Sequence, residues 1–470
     1  MGASGAPQNP ETRSNTAFPT IMRLSLPRQF LAQPVRPSPM SQPATLARLR
    51  AGELQGSTHL DLRGCGLTEL PRQVLALSDT LQTLDLSGNA LHALPEDFDR
   101  LHRLQRLFAS DNRFERLPPV LGRCAQLELI GFKANRIAEL PDEALPPRLR
   151  WLILTDNALA SLPEALGRRP RLQKLMLAGN RLRHLPASMG GLQSLELLRL
   201  AANDFQRAED ALPQALLDLP RLAWLAFGGN PFTAAQEARA ERQAPAQAIR
   251  SIAWGELQLQ QLLGSGASGH IHAALWQPPE PGAAAQSVAL KLFKAAVTSD
   301  GLPASERAAN LQAGAHAGLV PVLGRLLGHP AGLDGLVLQR LPEGVAPLAG
   351  PPSLDSCSRD VYAPGLRLAP ALACALATTT AAALAHLHGR GLLHGDLYAH
   401  NLLLAPDGSA RLSDFGAASF VPDAADATLA EALRRIDRRA LAVLVAELAE
   451  RCDDGPDVWR AAGLPPPEST

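Results

Sequence analysis

The stretch "LQTLDLSGNALHALP", Leu81–Pro95, recurs as "LQRLFASDNRFERLP" from Leu104, "LELIGFKANRIAELP" from Leu127, "LRWLILTDNALASLP" from Leu149 and "LQKLMLAGNRLRHLP" from Leu172. Its asparagine falls at 89, 112, 135, 157, 180 and 203, at intervals of 23, 23, 22, 23 and 23 residues. Each copy offers a short strand whose alternate Leu residues point into the core. The Asn can then satisfy backbone groups of the following turn, and the Leu-Pro step starts the return segment. A single copy cannot bury its own apolar face, so neighbouring copies must stack into a solenoid. The Leu and Asn positions are therefore structural.

An opening variant, "LDLRGCGLTELP", puts Cys65 at the Asn position, and a closing one, "LAWLAFGGNPF", carries Asn230. The pattern resembles the leucine-rich-repeat family over residues 43–235. Function belongs on the strand positions that face outward. One such column reads Thr83, Arg106, Leu129, Trp151, Lys174, Leu197 and Trp224. The other reads Asp85, Phe108, Gly131, Ile153, Met176, Arg199 and Ala226. Phe108, Trp151, Met176 and Trp224 beside Arg have the composition of a protein-binding surface. The alternative is that the chain's own second domain covers some of them.

Around the repeats the chain changes character. Residues 1–42 are rich in Pro, Ser, Gln and Asn without hydrophobic period, which predicts a disordered tail; an export or targeting signal is the sharper alternative. Residues 233–252 are expected to form a capping helix and a short linker, with the linker taken as 236–254. The end, 461–470, reads as a second tail. At 470 residues the chain is multidomain. Lys+Arg and Asp+Glu are both 45, which gives no reason to expect nucleic acid. Cys65, Cys124, Cys357, Cys374 and Cys452 show no paired spacing and read as reduced thiols, so the expected compartment is the cytoplasm. Leu372–Leu387 is apolar but short for a span and runs into a polar loop; it is expected to be a buried helix rather than a membrane segment.

A second set of signals follows the repeats. "LLGSGASGHIH" supplies Gly264, Gly266 and Gly269 with Ile271 behind them, a spacing that lets backbone N–H groups approach phosphate. "VALKLF" then sets Lys291 on an apolar strand, in a chain whose other lysines are Lys133, Lys174 and Lys294. A lysine so placed needs an anionic partner. "LLHGDLYAHNLLL" contributes His394, Asp396 and Asn401, and "RLSDFGAAS" contributes Asp414, Phe415 and Gly416.

In that order these motifs resemble the protein-kinase family over residues 257–450, within a domain taken as 255–460. The resemblance implies a two-lobed α+β domain that follows the α/β solenoid, with ATP and Mg²⁺ as cofactors. It implies that Lys291 holds the α- and β-phosphates, paired to Glu306 on the next helix. Asp396 would accept the proton of the attacking hydroxyl, and Asn401 and Asp414 would ligate Mg²⁺. His394 would brace the loop. Gly264, Gly266, Gly269, Ile271, Ala289 and Lys291 would surround the nucleotide with Leu338, and Gln339 to Leu341 would form the hinge. Asp437 resembles the helical aspartate that anchors the catalytic loop.

Three departures stand out. Gly395 occupies the place of the usual Arg before the catalytic Asp. Tyr398 stands where Ser/Thr kinases carry Lys, and His400 where tyrosine kinases place Arg. The C-lobe is also short, with no APE-like motif after Gly416. The expected function is phosphoryl transfer to Ser or Thr of a protein that the repeats select. A nucleotide-binding pseudokinase scaffold is the alternative. A small-molecule phosphotransferase is a third reading, because "HGDL" with Asn401 is similar to the loop of aminoglycoside and choline kinases.

Overall fold

The computed structural model describes residues 42–244, 249–266, 268–294, 297–453 and 455–465. The disordered-tail expectation for 1–42 falls almost entirely outside them; of the tail expected at 461–470, residues 466–470 lie outside, whereas Ala461 is the last residue of a helix, Gly455–Ala461.

After helix α1 (Gln42–Arg50), each repeat contributes one three-residue strand: β1 (His59–Asp61), β2 (Thr83–Asp85), β3 (Arg106–Phe108), β4 (Leu129–Gly131), β5 (Trp151–Ile153), β6 (Lys174–Met176), β7 (Leu197–Arg199) and β8 (Trp224–Ala226). All pair in parallel and in sequence order, with Thr83, Arg106, Leu129, Trp151, Lys174, Leu197 and Trp224 in one register column. The middle residues Leu84, Leu107, Ile130, Leu152, Leu175, Leu198 and Leu225 are buried.

The asparagines form a ladder. Asn112 accepts from Leu91 N at 3.0 Å and donates to Leu86 O and Ala109 O, so one side chain ties its own turn to the preceding repeat. Asn135, Asn157, Asn180 and Asn203 repeat the arrangement. Each bond is worth about 1 kcal/mol net, but an unpaired buried carbonyl would cost more. Short helices α2 (Ala208–Ala211) and α3 (Gln214–Leu217) stand in the last full repeat, and α4 (Ala234–Gln243) closes the solenoid.

The segment expected to be a linker is structured where it is described. Its first part is α4. Its last part, β9 (Arg250–Ala253), is an edge strand of the second domain. With β10 (Leu257–Ser265), β11 (Gly269–Trp276), β12 (Gln286–Phe293), β13 (Val322–Leu327) and β14 (Gly335–Gln339) it forms a six-stranded sheet in the order β10-β11-β12-β14-β13-β9. The β9 strand is parallel to β13, and the other pairs are antiparallel. Helix α5 (Pro303–Ala313) belongs to the same lobe.

The second lobe holds β15 (Ala346–Pro347), α6 (Pro370–Gly389), β16 (Leu392–Leu393), β17 (Leu402–Leu404), β18 (Ala410–Leu412), β19 (Ser419–Phe420), α7 (Ala427–Glu450) and α8 (Gly455–Ala461). Helix α6 is long and apolar enough to cross a membrane. Here it is a core helix whose Ala373, Leu376, Ala377, Ala383, Leu384 and Leu387 pack with Leu441, Leu444 and Leu448 of α7 and Val458 of α8.

The repeats and the second lobe share their cores. Leu393 of β16 and Ala432, Leu433 and Ile436 of α7 belong to the repeat cluster, whereas Leu197, Ala223 and Trp224 of the repeats belong to the second lobe's. Polar contacts follow the seam. Ser419 Oγ accepts from Phe227 N at 2.9 Å, and Arg439 donates to Leu219 O at 3.2 Å and to Leu222 O. Ser305 on α5 donates to Glu237 on α4 at 2.8 Å.

The concave face is therefore covered in part by the chain itself. Trp224 is 1% exposed: its indole stacks on Tyr398 with centroids 4.3 Å apart and planes 6° from parallel, and donates to Leu397 O at 3.0 Å. Met176 packs against the same core. This corrects the expectation for Trp224, which faces residues 397–398 of the chain itself rather than an external protein. Phe108, Trp151 and Met176 keep partial exposure.

Candidate active site

The apolar alternation of β12 buries Val288, Leu290 and Leu292 against the sheet's core, which turns Lys291 to the other side, between the lobes. There it meets Glu306 of α5 in a buried ion pair and stands 3.6 Å from Asp414 Oδ1. Burial opposes the charge on Lys291, but Asp414 and Glu306 outweigh it and raise its pKa. Burial pushes the Glu306 carboxyl up to about 7.

Asp414 has φ +60°, a left-handed conformation that costs a non-glycine residue about 1–2 kcal/mol. Its Oδ1 accepts from Gly416 N at 3.1 Å, which holds this turn. Burial works against its charge, yet Lys291 keeps its pKa below the usual carboxylate value.

The loop between β16 and β17 is pinned from below. Asp437 on α7 accepts from His394 N at 2.9 Å, Gly395 N at 3.0 Å and the His388 ring at 2.9 Å. Above this anchor, Asn401 Nδ2 donates to Asp396 O and Asp396 Oδ2, each at 2.9 Å. His400 is fastened through its backbone and its ring to Asp360, at 2.9 and 2.8 Å. Burial lowers and Asp360 raises the His400 pKa, with a net rise.

A cleft of about 480 Å³ lies between the lobes. Its walls include Gly264, Ile271, Ala289, Lys291, Glu306, Leu338, Gln339, Leu341, Asn401 and Asp414, all expected at the site. Three expected residues lie elsewhere. Asp396 is beside the cleft, facing the repeats. Gly266 bends back in the hairpin, its N–H donating to Gly269 O at 3.0 Å. Gly269 packs closely against β12, where a Cβ would come within 2.4 Å of Leu292 O.

The residues fit a nucleoside triphosphate with a hard cation: an apolar slot, a buried lysine beside phosphate space, and Asp414 half-exposed to it. With Nδ2 committed to Asp396, Asn401 has its side-chain oxygen to offer a cation. Among the described residues no group of three or more His, Cys, Asp or Glu is set as a metal site. A cation here would therefore complete its shell from phosphate and water.

The repeat arm adds residues that motif reading did not connect with the site. Arg199 of β7, on the outward column, donates from Nε to Asp300 Oδ1 at 2.9 Å, from Nη1 to Gly395 O at 2.9 Å, and from Nη2 to Asp396 Oδ1. Burial disfavours its charge, but Asp396 and Asp300 raise its pKa overall. The available signal was the outward-facing Arg199 together with the missing cation in "HGDLYAHN".

A parallel-strand solenoid closing on a two-lobed domain with this cleft defines a leucine-rich-repeat protein with a protein-kinase domain. Residues 257–459 match the family described as protein tyrosine and serine/threonine kinase, and residues 58–114 and 147–205 match leucine rich repeat, so the chain is a fusion of the two. Non-receptor tyrosine-protein kinase TNK1 of Homo sapiens is 34% identical over 157 residues, 33% of this chain and 22% of its own length. Probable serine/threonine-protein kinase roco9 of Dictyostelium discoideum is 38% identical over 66 residues, 14% of this chain and 2% of its own. PH domain leucine-rich repeat-containing protein phosphatase 1 of Homo sapiens is 31% identical over 108 residues, 22% of this chain and 6% of its own. The chain thus spans less than a quarter of each of these relatives. Among solved structures, a leucine-rich-repeat protein of Leptospira interrogans shares 24% identity with a TM-score of 0.27, covering 39% of this chain and 63% of its own.

Proposed function

We propose that this chain transfers phosphate from ATP, with Mg²⁺, to a serine or threonine hydroxyl of a protein in the cytoplasm. The observation that carries this reading is the joined set Lys291–Glu306–Asp414 at the cleft, with Asp396 and Asn401 hydrogen-bonded beside it. Bound Mg·ATP would supply the transferable phosphoryl group and neutralise its charge. Lys291, held cationic by two carboxylates, binds the α- and β-phosphates. Asn401 and Asp414 would hold the cation. Asp396 takes the proton of the attacking hydroxyl as the new O–P bond forms and the bond to the departing diphosphate breaks. Tyr398 replaces the Lys that Ser/Thr kinases carry and His400 the Arg of tyrosine kinases, so phosphoamino-acid analysis of the labelled protein distinguishes the serine or threonine reading from tyrosine. Phe108 and Trp151 are the remaining concave aromatics for a protein partner.

The test incubates the full chain with Mg²⁺ and γ-labelled ATP, alone and with casein, beside Asp414→Asn. We expect label on phosphoserine or phosphothreonine in the wild type and at least about a hundredfold less in the variant. A second reading, nucleotide binding without transfer, draws on both Asp396 oxygens being engaged, by Arg199 and Asn401. ATP binding with no label in either protein would favour that scaffold and defeat the enzyme.

A further inference from the structure

By its own sequence the catalytic loop has no Arg or Lys near Asp396: Gly395 precedes it, and Tyr398 stands two residues after it. The structure brings a cation from 197 residues away. We infer that Arg199 of the repeat arm is a positioning residue for phosphoryl transfer, so that docking of the repeats on the catalytic loop is a condition of catalysis. The inference rests on Asp396 being the group that accepts the hydroxyl proton.

Four observations carry it. All three guanidinium nitrogens of Arg199 are used, and they join two separate segments, Asp300 ahead of α5 and Gly395–Asp396 in the catalytic loop. Its side chain is 2% exposed, an expensive place for a charge unless its partners hold it. With Asn401 on the other oxygen, both oxygens of Asp396 are oriented by named donors.

The third observation is steric. Gly395 has φ +71°, and a Cβ there would lie 2.7 Å from Leu225 O of the repeats and 2.5 Å from Ala417 O. A larger residue at 395 would meet Ala417 O within the kinase domain as well as the docked β8, so the repeat backbone closes against the loop at a place where only glycine fits.

The fourth is the neighbouring repeat. Trp224 lies flat on Tyr398 and bonds Leu397 O, so β7 and β8 together grip residues 395–398. Tyr398 is turned into that contact, where it cannot serve as a phosphate-facing residue. Arg199 lines no part of the nucleotide cleft. Its effect therefore passes through the groups that it holds, Asp396 and Gly395 of the loop and Asp300, rather than through direct contact with the nucleotide.

The experiment compares full-length wild type, R199A and R199K with Mg²⁺, γ-labelled ATP and casein, together with the Tm and the affinity for a fluorescent ATP analogue. We expect R199A to lower kcat about 100-fold while nucleotide affinity stays within about threefold. Millimolar guanidinium chloride should restore part of the R199A rate, and R199K should fall between. An R199A kcat equal to wild type overturns the inference. So does a joint fall of kcat, nucleotide affinity and Tm that neither guanidinium nor lysine relieves, because that marks a merely structural contact. Should R199A not fold, R199K and R199Q carry the same comparison. If wild type transfers no label, the phosphotransfer reading fails separately. Amide hydrogen exchange over residues 393–401 then decides: faster exchange in R199K supports positioning by Arg199, and unchanged exchange overturns it.

Discussion

Trp224 combines three interactions in one side chain: a flat stack on Tyr398, an indole hydrogen bond to Leu397 O, and the Arg359 guanidinium 5.4 Å from its ring. Arg359 in turn pairs with Glu196 on the repeats at 3.0 Å. Trp224→Ala removes a fully buried aromatic from a contact whose other wall is the catalytic loop. It should cost about 3–5 kcal/mol of unfolding free energy, read as a lower urea midpoint. A loss below about 1 kcal/mol would mean that the seam closes without it. At the same scale, Asp437 is a buried carboxylate serving one ring and two backbone N–H groups. Burial alone would raise its pKa, but the His388 hydrogen bond leads the effects that lower it.

Helices α6, α7 and α8 make the second lobe, and Tyr362 links the loop before α6 to α7 by donating to Glu447 at 2.9 Å. Burial pushes the Glu447 carboxyl up to about 7 from an ordinary 4.5. Between those values the folded chain keeps a proton that the unfolded chain has released, so this group's contribution to stability is full below pH 4.5 and lost as pH rises toward 7. Glu447→Gln cannot ionise. Its unfolding free energy should therefore improve relative to wild type across that window and run parallel above it, measured by urea denaturation at several pH values. A constant gap from pH 4.5 to 7 would show that Glu447 is not proton-bearing in the fold.

At the scale of the molecule, the repeats stand against the second lobe as part of its core. Val421 O accepts from Gln236, Arg239 pairs with Asp423, and Arg435 and Arg439 reach the carbonyls of Leu217, Leu219 and Leu222. The last repeats pack along α7 and share its core. The two parts should therefore unfold together, in one calorimetric transition of the full chain. Residues 249–465 expressed alone should bind a hydrophobic dye strongly, because Leu393, Leu433 and Ile436 lose their cover. Two separate transitions, or a truncated chain with a sharp melt and no dye binding, would show instead that the lobes are self-sufficient.

The residue pattern alone determined the solenoid, since a 22–23-residue period of inward Leu and turn Asn has one way to bury its apolar face. It also determined the order of strand lysine, loop aspartate and Asp-Phe-Gly turn, because each is local in sequence. The strand in 250–253 was not legible, since four residues on a sheet edge carry little periodicity. Nor was the packing role of Gly269, which depends on how close the neighbouring strand lies. Gly395 and Tyr398 looked like losses when read along the loop. Their sense comes from Leu225, Trp224 and Arg199, residues about 170–200 positions earlier that only folding brings within contact. Which outward side chains of the repeats meet a partner, and which meet the chain itself, was decided by tertiary structure: burial is a property of what lies opposite, and no strand records that in its own letters.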